Sequence, residues 1–153
     1  MSDCVINETR KLFEFAVPKV KLDNQHVQLG CHFEEFREML DEIEIPLYSV
    51  ELSILKEYTE KLADALKKDK EISVVVKDRK AFLDAMSDQL VTGTGVGYMF
   101  GMDIIGALSE VNRSNFSKFV DGKPLFNENG KLMKGPNYTA PVLDSFVGTN
   151  PIQ

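Results

Sequence analysis

The sequence predicts an all-α protein, and three observations lead to this fold class. Apolar residues recur at spacings of three and four over long stretches, which is the period of an amphipathic helix. No proline occurs from Leu47 to Lys123, so the middle of the chain can run helical without interruption. No convincing series of strands separates the helical stretches. We therefore expect a bundle of four to five helices, built by one domain over residues 1–153.

The first half of the chain contains an expected N-terminal helix and two amphipathic helices. The N-terminal helix is predicted over about 5–15, the second helix over about 24–44 and the third over about 49–68. Pro46 ends the second helix, because proline and the residue before it resist helical geometry. The apolar stripe of the second helix is Leu29, Phe33, Phe36, Leu40 and Ile43, and that of the third is Leu52, Leu55, Tyr58, Leu62 and Leu66.

The second half contains two further helices and an irregular end. Helices are predicted over about 78–100 and 103–119, whereas residues 71–77 fit either a short strand or a connector. From Val120 onward Gly, Pro, Asn and Asp are dense. This composition predicts a Gly/Pro-rich C-terminal tail made of turns, with at most one short hairpin around Asn129-Gly130.

Composition and charge restrict the function. The 153 residues are 43% hydrophobic and 27% charged, which is typical of a globular protein. An excess of 24 acids over 18 bases gives a net charge of −6, which disfavours binding to nucleic-acid polymers or anionic membranes. Two cysteines are too few for a disulfide framework, and no stretch has the pattern of a membrane span. We expect a cytoplasmic protein.

An acidic motif lies on the helix predicted over 24–44. Glu34, Glu35 and Glu38 are neighbours at helical spacings of three and four, so their carboxylates can converge on one cation. Mg²⁺ and Mn²⁺ favour such oxygen ligands. The alternative is an ordinary solvated helix face, because these acids lie opposite the apolar stripe. His26 and His32 do not share a face and are interpreted as surface residues.

Two aspartates interrupt an otherwise apolar helix. Asp84 and Asp88 are the only charged residues from Ala81 to Gly101, and they lie one turn apart. A helix that is apolar nearly all round is expected to be buried, and a buried carboxylate needs a cation or a proton. We therefore favour metal binding over pairing with Lys or Arg or exposure to a water pocket. The glycines of TGTGVG lack the strand and Lys of a phosphate loop and indicate close helix packing instead.

A basic, amide-rich segment begins at the end of the helix predicted over about 103–119 and continues into the tail. Lys and Arg match phosphate oxygens, Asn can bind a base or sugar, and Tyr can stack on a base. The alternative for each residue alone is a solvated helix end, where Lys and Arg also complement the helix dipole. The candidate nucleotide-binding residues are Asn112, Arg113, Asn115, Lys118, Lys131, Lys134 and Tyr138.

Taken in order, the EExxE motif, FLDAMSDQL, EVNRSNFSK and GKLMKGPNY resemble the MazG-like all-α nucleoside triphosphate pyrophosphohydrolases. These are relatives of phosphoribosyl-ATP pyrophosphohydrolase and the dimeric dUTPases, and the chain looks most similar to their small single-domain, phage-type members. The similarity covers about 24–142. It implies hydrolysis of a (deoxy)nucleoside triphosphate between the α and β phosphates, giving the monophosphate and pyrophosphate, with two or more Mg²⁺ or Mn²⁺ ions.

The resemblance also implies roles for individual residues. Glu35, Glu38 and Asp88 correspond to metal ligands, and Glu34 to a further ligand or the base that activates water. Many relatives carry an acid three residues before Asp88; here the acid is Asp84, four residues before it, which we assign as a ligand. The implied nucleotide contacts are Arg113, Asn115, Lys118, Lys131, Lys134 and Tyr138.

Two alternatives to this activity stay open from the sequence. One is a dUTPase-like or phosphoribosyl-ATP-type activity on the same scaffold, and the other is a noncatalytic helical interaction module. The broadly apolar helix predicted over about 78–100 and the small bundle favour a homodimer or homotetramer.

Overall fold

The structure, a computed structural model, describes residues 4–152, and within them it contains five α-helices and no β-strand. The prediction of an all-α protein is confirmed, and so is the N-terminal helix. Residues 71–77 form a connector rather than a strand. The helices are α1 (Val5–Ala16), α2 (Leu22–Asp41), α3 (Ser49–Lys68), α4 (Arg79–Met99) and α5 (Ile104–Phe116), with a short 3-10 helix (Pro46–Tyr48) before α3. In the described part of the chain, no helix has the length and apolar character needed to cross a membrane.

The chain divides into two compact units. The hairpin unit contains residues 19–74, which include α2 and α3, together with residues 126–131 from the tail. The tail unit contains residues 4–18, 75–125 and 132–152, which include α1, α4, α5 and the rest of the tail.

In the hairpin unit, α2 and α3 pack against each other in antiparallel directions. Gly30, early in α2, lies against Ala63 near the end of α3, whereas Asp41, at the end of α2, approaches Lys56 early in α3 at 3.5 Å. Close approach at Gly30 is possible because glycine has no side chain: a Cβ there would lie 2.9 Å from the Ala63 carbonyl oxygen. The contact therefore combines small residues with ion pairs toward both ends.

The apolar stripe predicted for α3 is only partly the face that packs on α2. Leu66 is buried, but the other buried residues of α3 are Thr59 and Ala63, and Tyr58 is 65% exposed. Leu55 and Leu62 are exposed as well. The face is rotated because small side chains let the two backbones approach closely. The larger apolar side chains are left on the outer side of α3.

In the tail unit, α5 is the helix against which the others pack. α1 packs along α5, with Leu12 and Ala16 as its buried apolar side chains. α4 contacts α5 at one end, where Gly97 lies against Ile104. Asp103 caps α5 by accepting a hydrogen bond from the Gly106 amide at 2.9 Å.

The expectation that the helix predicted over about 78–100 is buried is wrong. Of the 21 residues of α4, only Gly97 is buried, and α5 is the one helix of its unit that contacts it. An apolar composition on every face predicts a buried helix only when the chain provides a surface to cover it. A Cβ placed at Gly93 or Gly95 would meet no atom within 4 Å, so the packing expected from the glycines occurs at Gly97 alone.

After α5 the described chain follows turns and irregular segments up to residue 152. The turn at Asn129-Gly130 is closed by the Gly130 amide, which donates to the Asn127 carbonyl at 3.0 Å, and Gly130 has φ +78°. Near the C-terminus, Gly148 (φ +56°) crosses so close to Gly101 (φ +74°) that a Cβ on either residue would collide with backbone oxygen. This crossing and a hydrogen bond from the Asp103 amide to the Phe146 carbonyl (2.8 Å) attach the tail to the α4–α5 turn.

Candidate functional site

The three glutamates of the acidic motif do not share one environment. Glu35 and Glu38 are exposed on α2, whereas the Glu34 side chain is only 22% exposed and is directed toward α3. The prediction that all three lie on the solvated face opposite the apolar residues therefore fails for Glu34. The packing of α2 on α3 separates one glutamate from the other two.

Both carboxylate oxygens of Glu34 are occupied by lysine. Lys67 of α3 donates to Oε1 at 2.7 Å, and Lys131 of the tail donates to Oε2 at 2.6 Å. Partial burial raises the pKa of the Glu34 carboxyl, but the hydrogen bonds from these two lysines outweigh it and hold the pKa below its ordinary value. A carboxylate whose pKa is lowered in this way is a weaker base, although each of its oxygens keeps a lone pair that could meet a cation.

Lys131 is the predicted phosphate-binding residue that the fold brings to the acidic motif. It is 97 positions from Glu34 in the sequence, and both belong to the hairpin unit. The Lys131 amide donates to the Asn127 side chain at 2.9 Å, which fixes the turn that presents the ammonium group. The hydrogen bond to Glu34 raises the pKa of Lys131, so the ammonium form is favoured. Lys131 therefore carries a stable positive charge beside exposed Glu35.

Asp84 and Asp88 are exposed and lie on α4 in the tail unit. The argument that burial forces these carboxylates to bind a cation is therefore wrong, because α4 itself is exposed. Their spacing of one helical turn still places them on neighbouring parts of one face.

Arg113 is engaged within the tail unit. Its guanidinium forms two hydrogen bonds with the Glu110 carboxylate, at 2.8 and 2.7 Å, and donates to the Ala140 carbonyl at 3.0 Å. The Arg113 hydrogen bonds and the Val142 amide lower the pKa of Glu110 to about 2. Together these groups fasten residues 139–142 to α5. The side chain of Arg113 is nevertheless 47% exposed, so part of the guanidinium faces solvent.

Asn112 has a structural role instead of the predicted nucleotide contact. It is 2% exposed, its Nδ2 donates to the Val5 carbonyl at 3.1 Å, and its Oδ1 accepts from the Thr9 hydroxyl at 3.0 Å. Both polar groups of the side chain are therefore used to hold α1 against α5. The side-chain amide of Asn112 therefore serves the packing of α1 against α5.

The remaining predicted nucleotide contacts form two pairs in the tail unit. Lys118 donates to the Asn115 side chain at 2.6 Å, at the end of α5. The Lys134 ammonium lies 4.7 Å from the centroid of the Tyr138 ring. A cation held over an aromatic face in this way keeps both groups ordered and leaves the ammonium able to meet an anion.

Sequence reasoning missed one residue beside the acidic motif, Lys67, which reaches Glu34 and also lies 3.6 Å from Asp64 of its own helix. The available signal was the antiparallel arrangement of two helices joined by a short connection, which places the end of α3 opposite the middle of α2.

The donor chemistry of the exposed glutamates suits a hard cation. Among residues 4–152, no group of three or more His, Cys, Asp or Glu side chains is arranged to hold a metal ion. Mg²⁺, however, is commonly bound by one or two carboxylates plus substrate phosphates and water. Glu35 and Glu38, one turn apart on α2, match that smaller donor set.

The histidines differ from expectation in one respect. His26 is buried on α2, so its interpretation as a surface residue is wrong, and its Nε2 atom has no hydrogen-bond partner among the described residues. Cys31 is partly buried near the lysines, and burial raises the pKa of its thiol, as expected for a small packing residue.

Comparison with known proteins gives no relative on which to base an assignment: no family model, no curated protein and no solved structure matches the chain.

Proposed function

We propose that the protein is a metal-dependent nucleoside triphosphate pyrophosphohydrolase, which releases the monophosphate and pyrophosphate from a (deoxy)nucleoside triphosphate. The observation that supports this most directly is the ion pair between Lys131 and Glu34, at 2.6 Å. It joins the acidic motif of α2 to a glycine-turn lysine 97 residues away. Carboxylates for a divalent cation and an ammonium group for phosphate are the two components that such a reaction needs.

The metal ligands proposed in the hairpin unit are Glu35 and Glu38. Asp84 and Asp88 of α4 keep the ligand role implied by the resemblance, as part of the proposal. Bound Mg²⁺ or Mn²⁺, two or more ions per site, would neutralise phosphate charge and make a bound water more acidic. Since the two lysines hold the pKa of Glu34 below its ordinary value, we propose Glu35 or Glu38 as the proton acceptor ahead of Glu34.

The basic residues supply binding and orientation. Lys131 is positioned to neutralise a phosphate group next to the acidic helix face. In the tail unit, Lys118 with Asn115 and Lys134 with Tyr138 offer two ammonium groups, an amide and an aromatic ring. These are the groups that a triphosphate, a sugar and a base require.

We also propose that the protein forms a homodimer or homotetramer through α4. A specific interface needs about 800 Å² from each partner. The large apolar side chains that α4 exposes are the surface of the tail unit that such an interface would cover. The residues concerned are Phe82, Leu83, Leu90, Val91, Val96, Tyr98 and Met99.

The test is turnover of a panel of nucleoside and deoxynucleoside triphosphates with Mg²⁺ or Mn²⁺, scored for pyrophosphate against orthophosphate. We expect pyrophosphate, with Glu38→Gln and Asp88→Asn each lowering kcat by about 100-fold or more while the circular dichroism spectrum is retained. The matched control is Glu57→Gln on α3, which removes an exposed glutamate paired with Lys61 and should leave kcat unchanged. Absence of metal-dependent pyrophosphate release across the panel would contradict the proposal and favour an interaction module.

A further inference from the structure

Three charged side chains in the hairpin unit form one continuous group. Lys67, Glu34 and Lys131 are joined by hydrogen bonds of 2.7 and 2.6 Å, one to each oxygen of the same carboxylate. The group contains two positive charges and one negative charge. Asp64, which lies 3.6 Å from Lys67, is itself paired with Lys68 at 2.7 Å, so the group keeps one excess positive charge beside the exposed Glu35 and Glu38.

Lys67 is the fixed member of this group. Its side chain is only 12% exposed, and it projects from the last turn of α3. The stem passes directly beside Gly30, where a Cβ would lie 2.7 Å from the Lys67 Cγ. Gly30 thus leaves the space through which the lysine stem reaches Glu34. The packing of the two helices determines where the Lys67 ammonium lies.

Lys131 is the exposed member of this group. Its side chain is 47% exposed, and its backbone belongs to a turn that is closed locally by hydrogen bonds between Asn127 and Lys131. The Glu34 carboxylate ties the ammonium of this turn to α2. The rigid end of the group is therefore Lys67, and the end available to a ligand is Lys131.

We propose that Lys67 is a positioning residue, which acts through Glu34 to hold Lys131 ready for a polyphosphate group. Lys67 orients the Glu34 carboxylate by occupying one of its oxygens, so that the other oxygen faces Lys131. It also neutralises the charge of Glu34. Without Lys67, Glu34 and Lys131 form a neutral pair, which attracts a phosphate anion less strongly. This inference rests on the proposed function, because it assumes that Lys131 meets the phosphate of the substrate.

The experiment measures binding of inorganic tripolyphosphate by calorimetry in the presence of Mg²⁺, which requires no turnover. Lys67→Met keeps an unbranched apolar stem beside Gly30 and removes the ammonium group. We expect it to raise the Kd by about tenfold, the scale of one charge-assisted hydrogen bond. Lys67→Arg should restore most of the affinity. The matched control is Lys61→Met on α3, where the lysine is 65% exposed and pairs with Glu57; its Kd should stay within about twofold.

A purely structural role of Lys67 is tested separately. Amide hydrogen exchange should show faster exchange at Lys131 in Lys67→Met while the amides of α2 and α3 keep their protection, because the turn loses its orienting contact and the helices do not. If Lys67→Met does not fold, Lys67→Gln removes the same charge while keeping a polar side-chain end, and it should weaken tripolyphosphate binding to a similar extent.

The two proposals fail in different ways. Lys67-dependent binding of tripolyphosphate by a protein that hydrolyses no nucleoside triphosphate would overturn the proposed function and leave this inference standing. Turnover of nucleoside triphosphates with unchanged tripolyphosphate affinity in Lys67→Met would overturn this inference alone. A protein that does not bind tripolyphosphate at all would overturn it as well.

Discussion

Gly30 gives a stability prediction in which two known effects oppose each other. Alanine at an open helix position is favoured over glycine by about 1 kcal/mol, because glycine loses more backbone entropy on folding. At Gly30, however, the new Cβ would lie 2.7 Å from the Lys67 Cγ, 2.9 Å from the Ala63 carbonyl oxygen and 3.0 Å from the Leu66 Cβ. The lysine stem can move aside, but the carbonyl oxygen belongs to the backbone of α3. Gly30→Ala must therefore push the two helices apart.

The overpacking penalty decides the sign of the change. Adding a methyl group to a close-packed contact costs about 1–3 kcal/mol, which exceeds the gain in helix propensity. We expect Gly30→Ala to lower the free energy of unfolding by about 1 kcal/mol, which for a chain of this length lowers Tm by about 2–4 °C.

The matched control for this prediction is Gly93→Ala on α4. A Cβ at Gly93 meets no atom within 4 Å, so only the propensity gain applies and the variant should be more stable than the parent. Urea and thermal unfolding followed by circular dichroism at low protein concentration measure both variants. If Gly30→Ala were as stabilising as Gly93→Ala, the result would contradict the close approach of α2 and α3 at residue 30.

Two further predictions concern the tail unit. Asn112→Ala removes the side chain that bridges α1 and α5, so the Thr9 hydroxyl and the Val5 carbonyl lose their hydrogen bonds to it. Urea unfolding should show a free energy of unfolding lower by about 1–3 kcal/mol. An unchanged midpoint would contradict the structural role of Asn112. The pKa of Glu110 is held at about 2, below its ordinary 4.5, so its contribution to stability is complete above pH 4.5 and is lost as the pH falls toward 2. Glu110→Gln should therefore flatten the acid dependence of unfolding over that interval, and an unaltered acid titration of stability would show that the Arg113 pairing contributes nothing.

The sequence predicted where the helices lie along the chain, but it did not predict which face of each helix is buried. Helical periodicity and the distribution of proline located all five helices, since both are local properties of the chain. The face of α3 that packs on α2 was misassigned because Leu55, Tyr58 and Leu62 form an equally regular apolar row. Periodicity identifies the apolar face of a helix. It does not show that a neighbouring face with a small residue such as Ala63 can approach another helix more closely and become the contact instead.

The sequence identifies residue types that commonly bind metals or phosphates. It does not show which of them are already paired with residues that are distant in the sequence. Lys131, which the sequence marks as a phosphate-binding candidate, donates to Glu34 of the acidic motif. Asn112 and Glu34 were misjudged because their partners, Thr9 and Lys67 among them, are distant in the sequence. Whether a polar side chain serves a ligand or the fold depends on such partners, and spacing along one helix contains no information about them.

The crossing of Gly101 and Gly148 restricts how this sequence can diverge. Two stretches of main chain touch there, and no rotamer change or neighbouring mutation can make room for a side chain at either position. Both positions also have a left-handed backbone conformation, which favours glycine independently of the available space. A distant descendant that preserved this path of the tail would need glycine at both positions, even after losing every recognisable similarity elsewhere. The two glycines are therefore evidence of the path that the backbone takes and not of any chemical function.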